Sequence, residues 1–362
     1  DGTNSQAMMA LADRPSANKQ DQEFLGWLDK AIKADPKALE PRAALVRHYL
    51  AKKNPQRALS LAREAVSIDP ENAQSYSLLG SAQMATGDKA ASLSSFVRVA
   101  DKAPDNAESF YRLAAAQIAN NKINDGRMSF EKALELKSDH AGALDGLLLI
   151  DVTEKKFDRA LQRARAFQKK NPGTSVGLLR EAEVLSRQGQ FAQAAKVFGQ
   201  AYSIDSDLNS FALMQSAYAK AGDQKTADLK LAELMAKSGE NQNVQSFAAV
   251  YAMGLGRHAE SVRIFERLLK SNPNNPAILN NLALGYLRIN DPRALQTAEQ
   301  SLKLAPNMPD IMDTVGWIHV QQGRAAKGVE LLQKAADLAP KSASIRYHLA
   351  YAMSKAGKPR EA

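Results

Sequence analysis

Punctuation recurs along this chain at a nearly fixed interval. Pro36, Pro70 and Pro104 stand 34 residues apart, and Ser138, Pro172 and Ser206 continue the count at the same step. Gly239, Pro273, Pro306 and Pro340 follow at 33 or 34. Such a chain does not enlarge one core as it lengthens; it stacks units that touch only their neighbours. Its 362 residues would otherwise argue for two or three domains. The interval argues instead for a single solenoid over residues 1–362, with a weak first unit (1–38), regular units (39–342) and a truncated last unit (343–362).

The pattern inside each period is helical. One set of equivalent positions holds Ala58, Ser92, Gly126, Ala160, Ala194, Ala227, Ser261, Ala294 and Gly328, all small. A small side chain there lets the second helix (B) of a unit approach its first (A). Four residues on stand Ala62, Phe96, Phe130, Ala164, Phe198, Leu231, Phe265, Ala298 and Leu332. The swing from Ala to Phe predicts that facing positions compensate in volume. The marker prolines cannot continue a helix and bias the preceding residue to extended geometry, so Asp35-Pro36, Asp69-Pro70 and Asn171-Pro172 close B helices. Gly87, Gly189, Gly222, Gly256 and Gly323 mark AB turns where a helix end requires positive φ.

The clearest unit runs from Leu279 to Gly323. Leu279, Leu282, Ala283 and Tyr286 mark helix A; Ala294, Ala298, Leu302 and Leu304 mark helix B; Met312, Val315, Gly316 and His319 restart the pattern. This order of large, Leu, small and aromatic residues resembles the tetratricopeptide (TPR) signature, whose length the interval matches. The resemblance implies an all-α, right-handed superhelical solenoid of about ten helix–turn–helix repeats. Three irregularities are expected. Ala7 to Asp13 reads as a short first A helix before a B helix at Asp21–Lys33. One residue is missing around Leu208–Tyr218. The AB turn at Asn290-Asp291-Pro292-Arg293 is shortened by one, with Pro292 in the first turn of helix B. The last A helix is Ala343–Lys355.

Hydrophobic residues are 44% but aromatics only 6%, which suits close helix packing. The net charge of +9 permits polyanionic partners without choosing among them. The absence of cysteine excludes disulfides, thiolate–metal sites and thiol catalysis. No run of about 18 apolar residues is present to span a membrane as a helix. The start, DGTNSQAMMALADRPSANKQ, has no signal pattern, and the end, KAGKPREA, falls inside a repeat, so both ends read as edges of a longer chain.

No catalytic constellation emerges, and the reading is of a non-enzyme with no cofactor and no metal. The five histidines (His48, His140, His258, His319, His348) fall one to a unit and form no ligand pair. Gly254-Leu255-Gly256 is a turn between helices and has no strand before it. Recognition is the alternative. In such an array the A helices line the concave face, and two inward rows end in Asn280, Asp313, Tyr347 and in Leu284, Trp317, Tyr351. Asn280, Asp313, Trp317, Tyr347 and Tyr351 are therefore the candidate partner-binding residues: aromatics with polar edges suit peptide or sugar recognition. The competing reading is that Trp317 and Tyr351 only pack between units. Those rows contain no Lys, which argues against a clamp for a C-terminal carboxylate. Lys155 to Lys170 carries seven cations and one acid on a B helix; Lys155, Lys156, Arg159 and Arg163 are a candidate polyanion contact, with a solvated outer face as the alternative. Without interleaved aromatics this helix does not suggest nucleic acid.

Several stretches carry a narrower resemblance. Leu28 to Val66, Leu279-Asn280-Asn281-Leu282-Ala283, Asp291-Pro292-Arg293-Ala294-Leu295, Asp313-Thr314-Val315-Gly316-Trp317-Ile318 and Ile345-Arg346-Tyr347-His348-Leu349-Ala350 are similar to TPR-repeat lipoproteins of PEP-CTERM/exosortase exopolysaccharide systems of Gram-negative bacteria. The resemblance implies a periplasmic, outer-membrane-associated scaffold for polysaccharide assembly or export, whose partners are other proteins of that machinery. It supplies no catalytic residues. In that family the membrane is reached through a lipid-modified Cys behind a signal peptide, neither of which stands in this stretch. Direct binding of an acidic polysaccharide, and a cytoplasmic TPR adaptor or assembly factor, remain alternative readings.

Overall fold

The computed structural model describes residues 18–358. The short helix expected at Ala7 to Asp13 lies outside them. Among the described residues there are twenty α-helices and no strand. The chain divides into two compact units that part between Ala221 and Gly222, inside the turn of one repeat.

The N-terminal unit holds α1 (Asn18–Ala34), α2 (Glu40–Ala51), α3 (Pro55–Ile68), α4 (Ala73–Ala85), α5 (Lys89–Lys102), α6 (Ala107–Ala119), α7 (Ile123–Leu136), α8 (Ala141–Thr153), α9 (Phe157–Lys170), α10 (Val176–Arg187), α11 (Phe191–Asp205) and α12 (Leu208–Lys220). The C-terminal unit holds α13 (Gln224–Ser238), α14 (Gln242–Gly254), α15 (His258–Ser271), α16 (Pro276–Arg288), α17 (Ala294–Leu304), α18 (Pro309–Gln321), α19 (Ala325–Leu338) and α20 (Ala343–Lys355). Even-numbered helices are the A helices and odd-numbered ones the B helices. The last A helix occupies the span expected for it.

The small positions sit where the two helices of a hairpin meet. Ala58, Ser92, Ala160, Ala194 and Ser261 are fully buried. The Ser92 hydroxyl donates across the hairpin to the Gly80 carbonyl at 2.8 Å. A Cβ on Gly126 would meet the Ile118 side chain at 2.6 Å. The next positions compensate in volume as expected. The Phe96 ring lies against Gly80 and the Phe130 ring against Gly146, so that a Cβ on either glycine would come within 2.9 Å or 2.4 Å of the ring. Where Ala164 replaces Phe, the following A helix closes in, and Gly177 approaches the Ala164 carbonyl. Leu304, one of the residues that mark helix B, is the final residue of α17, two positions beyond Leu302, and is exposed.

Each AB turn places one residue at positive φ, at Lys53, Gly87, Asn121, Lys155, Gly189, Gly222, Gly256, Asn290, Gly323 and Gly357. The series spans the chain at the repeat interval. Lys53 is exposed and sits at φ 57°, where a Cβ crowds the following carbonyl. Lys53→Gly is expected to raise the stability of the N-terminal unit by about 0.5–1 kcal/mol, relief of that crowding outweighing the added freedom of the unfolded chain. Urea unfolding checks it; an unchanged or lower midpoint would contradict the strain.

Two irregularities fall differently from expectation. The residue missing near Leu208–Tyr218 comes out of the loop before α12, and α12 keeps its full 13 residues. Helix α11 runs on to Asp205, Ser206 turns the chain at φ 53°, and Asp207 caps α12 through the Asn209 N–H. The AB turn at Asn290 is intact: Asn290 has φ 57° and the Asp291 N–H returns to the Tyr286 carbonyl at 2.8 Å, as Asp88 does to Gln83 at 2.9 Å. What is shortened is helix B. Pro292 precedes α17, which starts at Ala294 behind an Arg293 cap and has 11 residues against the 14 of α15.

Candidate functional site

Helices α18 and α20 are successive A helices of the C-terminal unit, and they bring four of the five predicted partner-binding residues together. Asp313 and Trp317 lie one turn apart on α18; Tyr347 and Tyr351 lie one turn apart on α20, so each pair shares a face. The rings of Trp317 and Tyr351 are 5.3 Å apart and those of Tyr347 and Tyr351 6.4 Å. The Lys355 ammonium lies 5.5 Å from the centre of the Tyr351 ring. Trp317 and Tyr351 also pack on the buried Val320, Leu332 and Ala352, so they serve packing and surface at once. Tyr347 is the outward ring, 63% exposed.

Sequence reasoning passed over the residue at the centre of this cluster. In the sequence His348 is one of five histidines spread one to a unit. Its ring stacks on Trp317 with centroids 4.2 Å apart and planes 24° apart, and its Nδ1 meets both Asp313 oxygens at 2.8 and 2.9 Å. The carboxylate fixes Nδ1 as the donor and holds the imidazole flat against the indole. The signal was available: the two residues stand one period plus one apart, on neighbouring A helices. Asn280 is on the preceding A helix, α16, where its Oδ1 is buried without a hydrogen-bond partner. Among the described residues no hydrogen bond or ring contact ties it to the aromatic group.

On α18, beside Asp313 and Trp317, His319 turns inward. Burial, with Arg324 nearby, lowers the pKa of its imidazole from the ordinary histidine value. On α16, the Tyr286 hydroxyl donates to Glu266 at 2.7 Å, and burial pushes its pKa up. A cavity of about 450 Å³ lies between the end of α16, the Asn290–Pro292 turn and α18, and Trp317 forms part of its wall.

The candidate polyanion residues have a different setting. Asp151, at the end of α8, is 0% exposed. It accepts from Arg127 of α7 at 2.5 Å, from Arg159 Nε at 2.8 Å and from Arg163 Nε at 2.9 Å. Arg163 also reaches Glu131 at 2.6 Å, and Arg127 and Arg159 reach Glu154. Lys156 lies 2.8 Å from Glu154, and its hydrogen bond, with Arg127 beside it, holds that carboxyl below its ordinary value. Read along one helix, seven cations face one acid; in three dimensions carboxylates from α7, α8 and the α8–α9 turn face Lys156, Arg159 and Arg163. Lys155 stands outside this network, exposed in the turn at φ 58°.

Residues 43–107 and 248–309 match one tetratricopeptide repeat family model, and residues 107–140 match a second. Those segments are tetratricopeptide repeats, and the chain has the all-α architecture of a TPR array. Arrays of this class are in general non-enzymatic scaffolds that bind other proteins or peptides. Among solved structures, Naa15/Naa10 bound to HypK-THB is 18% identical, with 99% of this chain and 62% of that one covered and a TM-score of 0.42. Yeast Tom70 is 13% identical, with 98% and 96% covered and a TM-score of 0.48. MamA 41-end from Desulfovibrio magneticus RS-1 is 16% identical, with 46% and 93% covered and a TM-score of 0.40. The chain thus spans under two thirds of the first of these and nearly all of the other two. No curated protein matches.

Proposed function

We propose that this chain is a scaffold that holds partner proteins of an exopolysaccharide assembly or export machine in the bacterial envelope. The narrower sequence resemblance supports that setting and a periplasmic, outer-membrane-associated location. One observation carries the binding site: the Asp313–His348–Trp317–Tyr351 group fixes an aromatic platform on two adjacent A helices and leaves Tyr347 outward. Its members are locked by packing and by the Asp313–His348 bond, so binding orders few side chains. A rigid aromatic surface with a polar edge is the usual anchor of a protein contact.

Tyr347→Ala removes the exposed ring without hollowing the core. Capture from envelope extracts with the wild-type chain is expected to enrich components of polysaccharide synthesis or export, and the variant is expected to lose them. Equal recovery by both proteins removes this site. Specific capture that contains no such component removes the envelope setting while leaving the site standing. Cell fractionation tests the location directly.

A further inference from the structure

We infer that the A-helix face of the N-terminal unit carries a second binding groove, and that its ligand is an extended acidic peptide segment with two large apolar side chains. The groove is built from three A helices, α8, α10 and α12. A cavity of about 340 Å³ between α8 and α10 is lined by Asp145, Leu148, Leu149, Arg180, Glu183 and Arg187, among others. A second, of about 420 Å³, lies between α10 and α12 and includes Phe191, Leu213 and Lys220 in its wall. Glu183 and Arg187 line both, so the two form one continuous depression.

Its exposed large aliphatic side chains stand at the two ends. Leu149 is 63% exposed and Leu213 is 41% exposed, although Leu144, Leu147 and Leu148 on the one helix and Phe211 and Met214 on the other are buried. Two large aliphatic side chains held in water within one groove are positions where a ligand can bury apolar area. Neighbouring packed helices lie about 8–10 Å apart. Leu149 and Leu213, two A helices apart, are therefore separated by about 20 Å, which about six residues of extended chain cross.

The charges select the ligand's sign. Arg180 is matched within the wall: it pairs with Asp145 at 2.5 Å and with Glu183 at 3.1 Å. That pairing accounts for both carboxylates of the groove. Arg187, between the two cavities, forms no ion pair among the described residues, and Lys220 lies 5.7 Å over the Phe191 ring and likewise meets no carboxylate. The groove therefore has a surplus of two cations at its centre and far end, flanked by aliphatic surface. A segment with apolar ends and acidic residues between them matches both features. An acidic sugar polymer matches the cations but offers nothing to the leucines. The chain's net charge of +9 steers an acidic segment toward it. This groove shares no residue with the Trp317–His348 cluster.

The probe is a fluorescein-labelled hexapeptide with leucine at both ends and Asp-Glu at its centre, capped at both termini and titrated with the full chain by anisotropy. Saturable binding that weakens with salt is expected, with a loss of about tenfold or more in Arg187→Glu and in Lys220→Glu. Leu213→Asp is expected to weaken it comparably, and Tyr347→Ala to leave it unchanged, which separates this groove from the C-terminal site. The inference is overturned if no saturable binding occurs, or if the peptide with Lys-Lys at its centre binds equally. Equal binding of the peptide with glycine in place of both leucines overturns it too, by reducing the site to charge alone. Self-association of the chain that Leu213→Asp abolishes and the peptide does not compete with assigns the groove to a second copy and also overturns it.

Discussion

Asp151→Asn is expected to destabilise the N-terminal unit by about 3 kcal/mol. Deleting one partner of a buried ion pair generally costs about 3–5 kcal/mol, because the charge left behind has lost its water and gained no substitute. Asp151 is fully buried, and three arginines from two helices converge on it. Asparagine keeps the size and one oxygen but turns the other into a donor that faces cations. The partial exposure of the arginines, between 12% and 35% of the side chain, lets them recover some hydration and puts the estimate at the lower end. The change should be measured by urea unfolding, with amide exchange over α7, α8 and α9 to place it. Asp158→Asn changes the same charge on the exposed start of α9 and is the control. Equal midpoints for the two variants would show that the buried carboxylate organises nothing.

The second large effect is at Gly328, where helix propensity and packing oppose each other. Glycine inside a helix costs about 1 kcal/mol relative to alanine, so propensity alone favours Gly328→Ala. A Cβ there would stand 2.5 Å from Val320 Cγ2 and 2.7 Å from the Gly316 carbonyl oxygen. The second contact is backbone and cannot rotate aside. Gly316 mirrors it, since its own Cβ would meet the Gly328 carbonyl at 3.1 Å and Leu332 Cγ at 2.8 Å. Helices α18 and α19 would have to separate, and overpacking of this kind typically costs about 1–3 kcal/mol. The net expectation is a loss of about 2 kcal/mol in the C-terminal unit, larger for Gly328→Val. Gly26→Ala tests the opposite case: Gly26 is an exposed helical glycine with nothing within 4 Å of the added carbon. It should gain up to about 1 kcal/mol. Thermal unfolding of both variants checks the pair, and a gain at Gly328 would refute the close approach.

These two predictions also separate what is local from what is not. The small residue at position 328 is legible in the repeat, because close approach of two helices demands it in every unit. The network at Asp151 is not legible, since its members come from α7, α8 and α9 and nothing in the order of residues pairs Arg127 with Asp151. The same holds at the candidate site. Asp313, Trp317, Tyr347 and Tyr351 can be placed on one face from their spacing alone. His348 looked unremarkable until α18 and α20 were set side by side. The two misplaced irregularities have a related cause: a count finds that one residue is missing but not whether a loop or a helix gives it up. At Ser206 the loop did, because a residue there can turn at positive φ; at Pro292 the helix did, because the Asn290 turn has a fixed hydrogen-bond pattern.

By itself, then, the sequence determined the repeat, the helical class, the small and large core positions and the glycine turns, because each depends on contacts within one repeat or with its neighbour at a constant offset. The tertiary structure decided which charges are matched, which aromatics are platform and which are exposed, and where unpaired cations meet exposed leucines. Those depend on side chains from different helices arriving at one place, and a periodic pattern of residue types leaves such meetings undetermined.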